Sequence, residues 1–231
     1  MKRFWTEVTV EAADGGLAIR LDRRPLRTPS KAPCLLPTRA LAEAVAAEWA
    51  AQDTEVNPDA MPLTRAANTA IDRVIPEHEA VAAIIAGFGA TDLICYRAPH
   101  PEGLMRRQMR AWDPLIAWAA QALGAPLVVA AGVMHVPQPP NSLAGLTAAV
   151  RAHGPWELTA LHDLVSISGS LVIGLAVSRG HLDPQTAWPL SRIDEDWQIG
   201  RWGEDAEAAA VAARRRADFA NAARLLELVR S

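Results

Sequence analysis

The chain is poor in the local signals that announce chemistry. It has no G-x-x-x-x-G-K-[ST] phosphate loop, which argues against an ATPase of the common kind. Its six histidines, at 78, 100, 135, 153, 162 and 181, form no H-x-x-x-H or H-E-x-x-H pair, so a metal site has no basis in spacing. There is no G-x-S-x-G elbow. Only two cysteines occur, Cys34 and Cys95, far apart in sequence. They do not make a disulfide framework and read as reduced, small hydrophobic residues in a cytosol-like compartment. The longest uncharged apolar run, Leu164 to Ser178, is fifteen residues, short of the roughly 20 that span a bilayer. Charge is nearly balanced: a net charge of -3 and a pI near 6.1 exclude the broad basic face of a general nucleic-acid binder. Phenylalanine and tyrosine are scarce, three and one, against eight tryptophans, so tryptophan is expected to fill core space.

What is present is enough apolar sequence for a sizeable core, half of 231 residues, and room for one or two domains. The first forty residues read as β. Glu7 to Val10 and Leu17 to Leu21 alternate about an Asp14-Gly-Gly16 turn, a hairpin signal. Arg24 to Thr28 and Cys34 to Leu36 read as two further short strands. Thr38 is a candidate N-cap for a helix over 39–52, where Leu41, Val45 and Trp49 recur every four residues. After a turn-rich linker from Thr54 to Pro62, helices are expected over 63–74, 77–87, 103–123, 142–152, 157–178, 184–200 and 205–229. Pro126 to Ala130 fits either a strand returning to the N-terminal sheet or a buried helix. The expected fold is α+β, predominantly α. A small N-terminal domain with antiparallel strands and one helix (1–58) precedes a larger all-helical domain (59–231).

The densest stretch is Ser191 to Asp205, with five carboxylates and two tryptophans in fifteen residues. On a helix, Leu190, Ile193 and Trp197 form a core stripe. Asp194, Gln198, Arg201 or Trp202, and Asp205 form a second face that mixes acid, amide and indole. Exposing an indole is costly, so an acidic face with an aromatic anchor fits a protein-binding surface. A solvated acidic face is the plainer alternative. As paired catalytic carboxylates, Asp194, Glu195 and Asp196 are badly placed, since consecutive helical residues splay by about 100°.

Other groups invite weaker readings. Gly87-Phe-Gly89 lacks the third glycine of a dinucleotide turn and reads as an interhelical turn. His162 and Asp163 are adjacent on a helix and do not make an evident dyad; a satisfied core or boundary histidine is the preferred account. Ser166, Ser168 and Ser170 beside Gly169 read as small residues for close helix contact. Arg65, Asn68 or Thr69, and Asp72 share one face and are read as a buried polar network between domains. Arg106, Arg107 and Arg110 form either a solvated basic edge or a match for the carboxylates near 194–205.

Five segments together resemble one known family: Arg3-Phe4-Trp5; Leu21 to Pro29; Leu41 to Gln52; Met61 to Asp72; and Asp194 to Gln198 with Trp202-Gly203. In this order they are similar to the assembly chaperones of the F(1) sector of ATP synthase that handle the alpha subunit. These are the mitochondrial "F(1) complex assembly factor 2" type, which has bacterial members. The resemblance runs over nearly the whole chain. It implies a β-containing N-terminal domain and a larger helical one, no catalysis, no cofactor and no nucleotide requirement. It also implies a reversible partnership with newly made alpha subunit, shielding the surface that later meets the beta subunit. The positions implicated in function are Asp194, Glu195, Gln198, Trp202 and Gly203, to which the helical face adds Asp205. The chain departs from the family at Trp5, where Tyr is common, at Arg23, where Gly is common, and at Asp194, where Glu is common. The last departure leaves open which of Asp194 and Glu195 carries the contact. A start without a presequence pattern points to a bacterial cytoplasmic protein, expected to be monomeric and not inserted in a membrane. Two other classes compete: a small-molecule enzyme using an interdomain cleft, which converging titratable groups would favour, and a scaffolding module without client turnover.

Overall fold

The computed structural model describes residues 2–231, and its chain traces an α+β fold dominated by helices, with a small antiparallel sheet at the N-terminus. Strands β1 (Val8–Ala13) and β2 (Gly16–Leu21) pair from Val8↔Leu21 to Ala13↔Gly16 around a two-residue turn. Gly15 takes φ +86 in that turn. A Cβ on Gly16 would lie 2.8 Å from the Leu36 carbonyl, so the glycine also lets the segment at Leu36 close on the hairpin. Strands β3 (Arg24–Pro25) and β4 (Leu35–Leu36) both pair with β2. Helix α1 (Arg39–Ala50) lies on this sheet, burying Leu41, Val45 and Trp49. Thr38 caps it: the hydroxyl accepts from the Leu41 amide at 3.2 Å and donates to the Leu228 carbonyl at 2.5 Å. Helix α2 (Pro62–Thr69) continues through a π-helical turn to Val74. Its first turn is capped from α1, where the Glu48 carboxylate accepts from the Leu63 and Thr64 amides, both at 2.7 Å.

The chain divides into two compact units. One comprises Met1–His78, Gly154–Ala160 and Arg224–Ser231; the other comprises Glu79–His153 and Leu161–Ala223. Of the polar group on 65–72, Asp72 ties the segment after 59 to the N-terminal segment, and both lie within the first unit. Asp72 accepts from the Thr28 hydroxyl at 2.6 Å and the Ser30 amide at 3.1 Å, and the Thr28 bond holds its carboxyl below the usual range.

The remaining helices are α3 (His78–Gly87), α4 (Glu102–Ala122), α5 (Pro140–Arg151), α6 (Pro155–Ser168), α7 (Leu171–Ser178), α8 (Pro184–Leu190), α9 (Ile193–Trp202) and α10 (Ala206–Arg230). Every residue of α7 is buried, as a helix apolar all round requires. Trp112 and Phe219 are among the largest fully buried side chains, which bears out the use of tryptophan as core filler. The apolar segment from His78 to Cys95 is no continuous helix: α3 stops after ten residues at Gly87 and two tight turns follow. Pro126 to Ala130 is neither a helix nor a strand of the N-terminal sheet. It runs extended, its Val128 backbone bonded on both sides by the buried Gln138 amide, and leads to β6 (Ala130–Ala131). That strand makes a short parallel pair with β5 (Tyr96–Arg97).

Two expected helices are each broken in two. The 157–178 span breaks at Gly169, φ +71, where the Asp92 carboxylate takes the Val172 amide at 2.9 Å and so anchors the start of α7. The 184–200 span breaks at Ser191-Arg192. There the Trp112 indole donates to the Leu190 carbonyl at 2.8 Å, and the Ser191 hydroxyl donates to the Trp188 carbonyl at 2.8 Å. At each break a local turn is joined by a bond from a partner distant in sequence, Asp92 or Trp112.

Candidate partner-binding site

Helix α9 carries three acids in its first turn, Asp194, Glu195 and Asp196, which complement the positive end of the helix dipole. Its inner face holds the buried Ile193 and the half-buried Trp197. Against Trp197 the partner helix α4 has Gly103, where a Cβ would come within 2.8 Å of the indole ring. The glycine therefore fixes the depth at which α9 sits on α4.

The three acids have different surroundings. Asp194 is half-buried and accepts from the Gln108 amide at 2.6 Å. Gln108 is 1% exposed, and its carbonyl in turn accepts from the Ala98 amide at 2.8 Å. Asp196 lies 3.7 Å from Arg192, whose guanidinium stacks over Trp188 at 5.4 Å. Glu195 is exposed and has no bonded side-chain partner among the described residues. The arginines of α4 do not meet this cluster: Arg106 pairs with Glu102 one turn away at 3.4 Å, and Gln108 is the α4 side chain that touches Asp194.

Gln198 and Trp202 follow Glu195 along one face of α9, and both are exposed, Trp202 to 78%. The helix ends at Gly203, whose φ of 89 and ψ of 168 belong to a region nearly reserved for glycine. Asp205 then caps α10, accepting from the Ala208 amide at 2.8 Å. Glu195, Gln198, Trp202, Gly203 and Asp205 line one groove of about 760 Å³. Asp194 turns away from it into a smaller notch of about 210 Å³, with Glu195 on the ridge shared by the two. The structure thus brings five of the six expected residues together and sets Asp194 against α4.

The rest of the groove comes from residues that the sequence did not single out. Glu207, Ala208, Val211, Ala212 and Arg215 of α10 form its opposite wall, together with Glu204 from the turn. The i, i+4 pair Glu207 and Val211 was the available signal, masked by alanines on either side.

Elsewhere the chemistry is sparse. His162 and Asp163 are exposed and do meet, Nδ1 to Oδ1 at 3.1 Å, which corrects the view that they face apart; the bond raises the His162 pKa. Cys34 and Cys95 are both buried and free, and burial pushes their thiols up to about 11 and about 12, so neither is a ready nucleophile. Among the described residues no cluster of three or more His, Cys, Asp or Glu side chains is arranged to hold a metal ion. Gly89 serves packing, since a Cβ there would lie 2.7 Å from Leu146.

Comparison with known proteins gives a consistent result. Residues 2–120 match the family described as ATP12 chaperone protein. The fold superimposes on the crystal structure of Atp12 from Paracoccus denitrificans with a TM-score of 0.95, at 53% identity over 99% of this chain and 98% of that chain. A structure from Agrobacterium tumefaciens is similar at a TM-score of 0.93, with 43% identity over 98% of this chain and 85% of that chain. Among curated proteins, the mitochondrial protein atp12 of Schizosaccharomyces pombe is 27% identical over 89% of this chain and 75% of its own length. On the family match and on the whole-chain likeness to Atp12, the chain belongs to the ATP12 chaperone protein family.

Proposed function

We propose that this chain is an assembly chaperone of the F(1) sector of ATP synthase, holding free alpha subunit and shielding its subunit-interface surface until beta subunit replaces it. Membership of a chaperone family supports an assembly role and a non-catalytic one. The observation that carries the site is the α9 face. Trp202 leaves a large apolar ring 78% exposed beside Gln198 and the unbonded Glu195. An uncovered indole flanked by polar groups is the composition of an interface anchor and its rim.

In this reading Glu195 and Gln198 compete for cationic and polar groups of the alpha subunit, and Trp202 covers adjacent apolar area. Asp194 supports the helix that presents them. Release requires a moderate interface, of the standard size class rather than the obligate one. The protein acts, on the same reading, as a monomer in the bacterial cytoplasm. Co-expression with alpha subunit alone, followed by pull-down, tests this. Soluble alpha subunit is expected to be recovered with the chaperone and displaced by beta subunit. Glu195→Lys is expected to abolish recovery at unchanged helical circular dichroism. No association, or a Glu195→Lys protein that loses its helical signal, defeats the proposal.

A further inference from the structure

The groove between α9 and the first half of α10 has two unlike surfaces. Part of its lining is apolar and comes from both helices: Ile199 is half-buried, Trp202 is 78% exposed and Val211 is 54% exposed. The acidic part also comes from both sides, with Glu195 on α9, Glu204 in the turn and Glu207 on α10. None of these three carboxylates has an ion pair or side-chain hydrogen bond among the described residues. Of the two cations in the lining, one is ion-paired and the other keeps its charge but is outnumbered. Arg192 is held by Asp196 and Trp188, and Arg215 donates to the Ile167 carbonyl at 2.9 Å. The acids that do have work, Asp196 and Asp205, are the ones facing Arg192 and the α10 N-terminus. What remains is an excess of negative charge, contributed from both sides, beside exposed apolar side chains.

We infer that this groove seats a cationic amphipathic helix of the client, its apolar stripe on Trp202 and Val211 and its flanking Lys or Arg side chains against Glu195, Glu204 and Glu207. The inference deepens the proposed function and rests on it for the client's identity. Charge complementarity selects a cationic occupant and rejects nucleic acid or an anionic membrane. The walls select a helix. Both are helices whose backbone groups bond internally, so an extended segment would find no strand edge and would leave its own N–H and C=O groups unpaired. A helix carries its backbone bonds with it. A groove of about 760 Å³ accommodates one face of a short helix, about 11 Å for two turns.

The test uses the full chain and two labelled 16-residue peptides, one with Lys flanking a Leu stripe and one with Glu in place of every Lys. Binding is read by anisotropy at low and at physiological salt, alongside capture of alpha subunit. The Lys peptide is expected to bind at least tenfold tighter than the Glu peptide and to weaken as salt rises. Glu207→Lys and Val211→Ser each sit on an exposed face of α10, and each is expected to weaken peptide binding and alpha-subunit capture about tenfold. Reversal of the distant exposed Glu77 is expected to change neither. If wild type captures alpha subunit and both groove variants capture it equally well, the inference is overturned and the chaperone reading survives. If wild type captures no alpha subunit but holds the Lys peptide in a Glu207-dependent way, the chaperone reading falls and the groove stands. Equal binding of both peptides, or salt-sensitive self-association abolished by Glu207→Lys, overturns the inference, the latter by assigning the groove to a second copy.

Discussion

Replacement of Asp92 by asparagine should change how stability depends on pH. Asp92 is fully buried, and burial pushes its pKa from 3.8 up to about 6, against the opposing hydrogen bonds from Ser170, Val172 and Ile94. The native state therefore holds its proton more tightly than the unfolded chain. Between pH 3.8 and about 6 the folded protein carries the extra proton, so stability falls as pH rises through that window and levels above it. At 1.36 kcal/mol for each pH unit separating the two values, the full swing is about 3 kcal/mol, of which about 2 falls between pH 4.5 and 7.5. An asparagine side chain cannot ionise, so the Asp92→Asn protein lacks this slope. It also presents one acceptor oxygen to two amides, Ile94 at 3.2 Å and Val172 at 2.9 Å. Leaving one amide unbonded adds a pH-independent cost of about 1–3 kcal/mol. Urea unfolding of both proteins at pH 4.5, 5.5, 6.5 and 7.5 isolates the residue by difference. The stability of wild type relative to the variant should drop by about 2 kcal/mol from the lowest to the highest pH. A flat difference, or one in which wild type gains as pH rises, would show that the amide donors outweigh burial and would refute the reasoning.

Three further outcomes follow from single contacts. Gly203→Ala should lower stability by about 1–3 kcal/mol, because Gly203 holds φ 89 and ψ 168; an unchanged melting temperature would mean that the turn relaxes freely. Glu48→Ala should cost about 2–3 kcal/mol, since it strips two amides and the Thr64 hydroxyl of their acceptor at the start of α2, and Glu48→Gln should recover part of that in the same urea titration. Asp194→Ala should destabilise by about 1–3 kcal/mol by orphaning the buried Gln108 amide, whereas Glu195→Ala should shift stability by less than about 0.5 kcal/mol while weakening client capture. The reverse ranking would exchange the roles assigned to these two neighbours.

Under the proposed function, the separation of Asp194 from Glu195 divides two roles. Adjacent acids on one helical turn look equivalent as a sequence, yet one is bonded to α4 and the other stands on the ridge between groove and notch. A surface meant to bind and release needs a rigid platform as well as free groups. Trp197 against Gly103 and Asp194 against Gln108 supply the platform, leaving Glu195, Gln198 and Trp202 free of internal work.

Much of the local structure was legible without tertiary information, because its causes are local. The Asp14-Gly-Gly16 turn and its alternating flanks specify the hairpin. Thr38 with Leu41, Val45 and Trp49 specifies α1 and its buried face. The family resemblance, carried by motifs spread over nearly the whole chain, also needed only sequence. Periodicity, however, says which residues share a face and nothing about what that face meets. The breaks at Gly169 and at Ser191-Arg192 are held by bonds from Asp92 and Trp112, which lie roughly 80 residues earlier in the chain. The pairing of Asp194 with Gln108 spans 86 positions. The second wall of the groove is a stretch of α10 whose alanines carry no signal until α9 lies beside it. Composition, turns, caps and helix faces were therefore determined by the sequence itself, through interactions a few residues long. Where helices stop, which acid is bonded and where exposed apolar side chains gain acidic neighbours were decided by the tertiary structure, since each depends on a hydrogen bond or a packing contact between segments that only folding brings together.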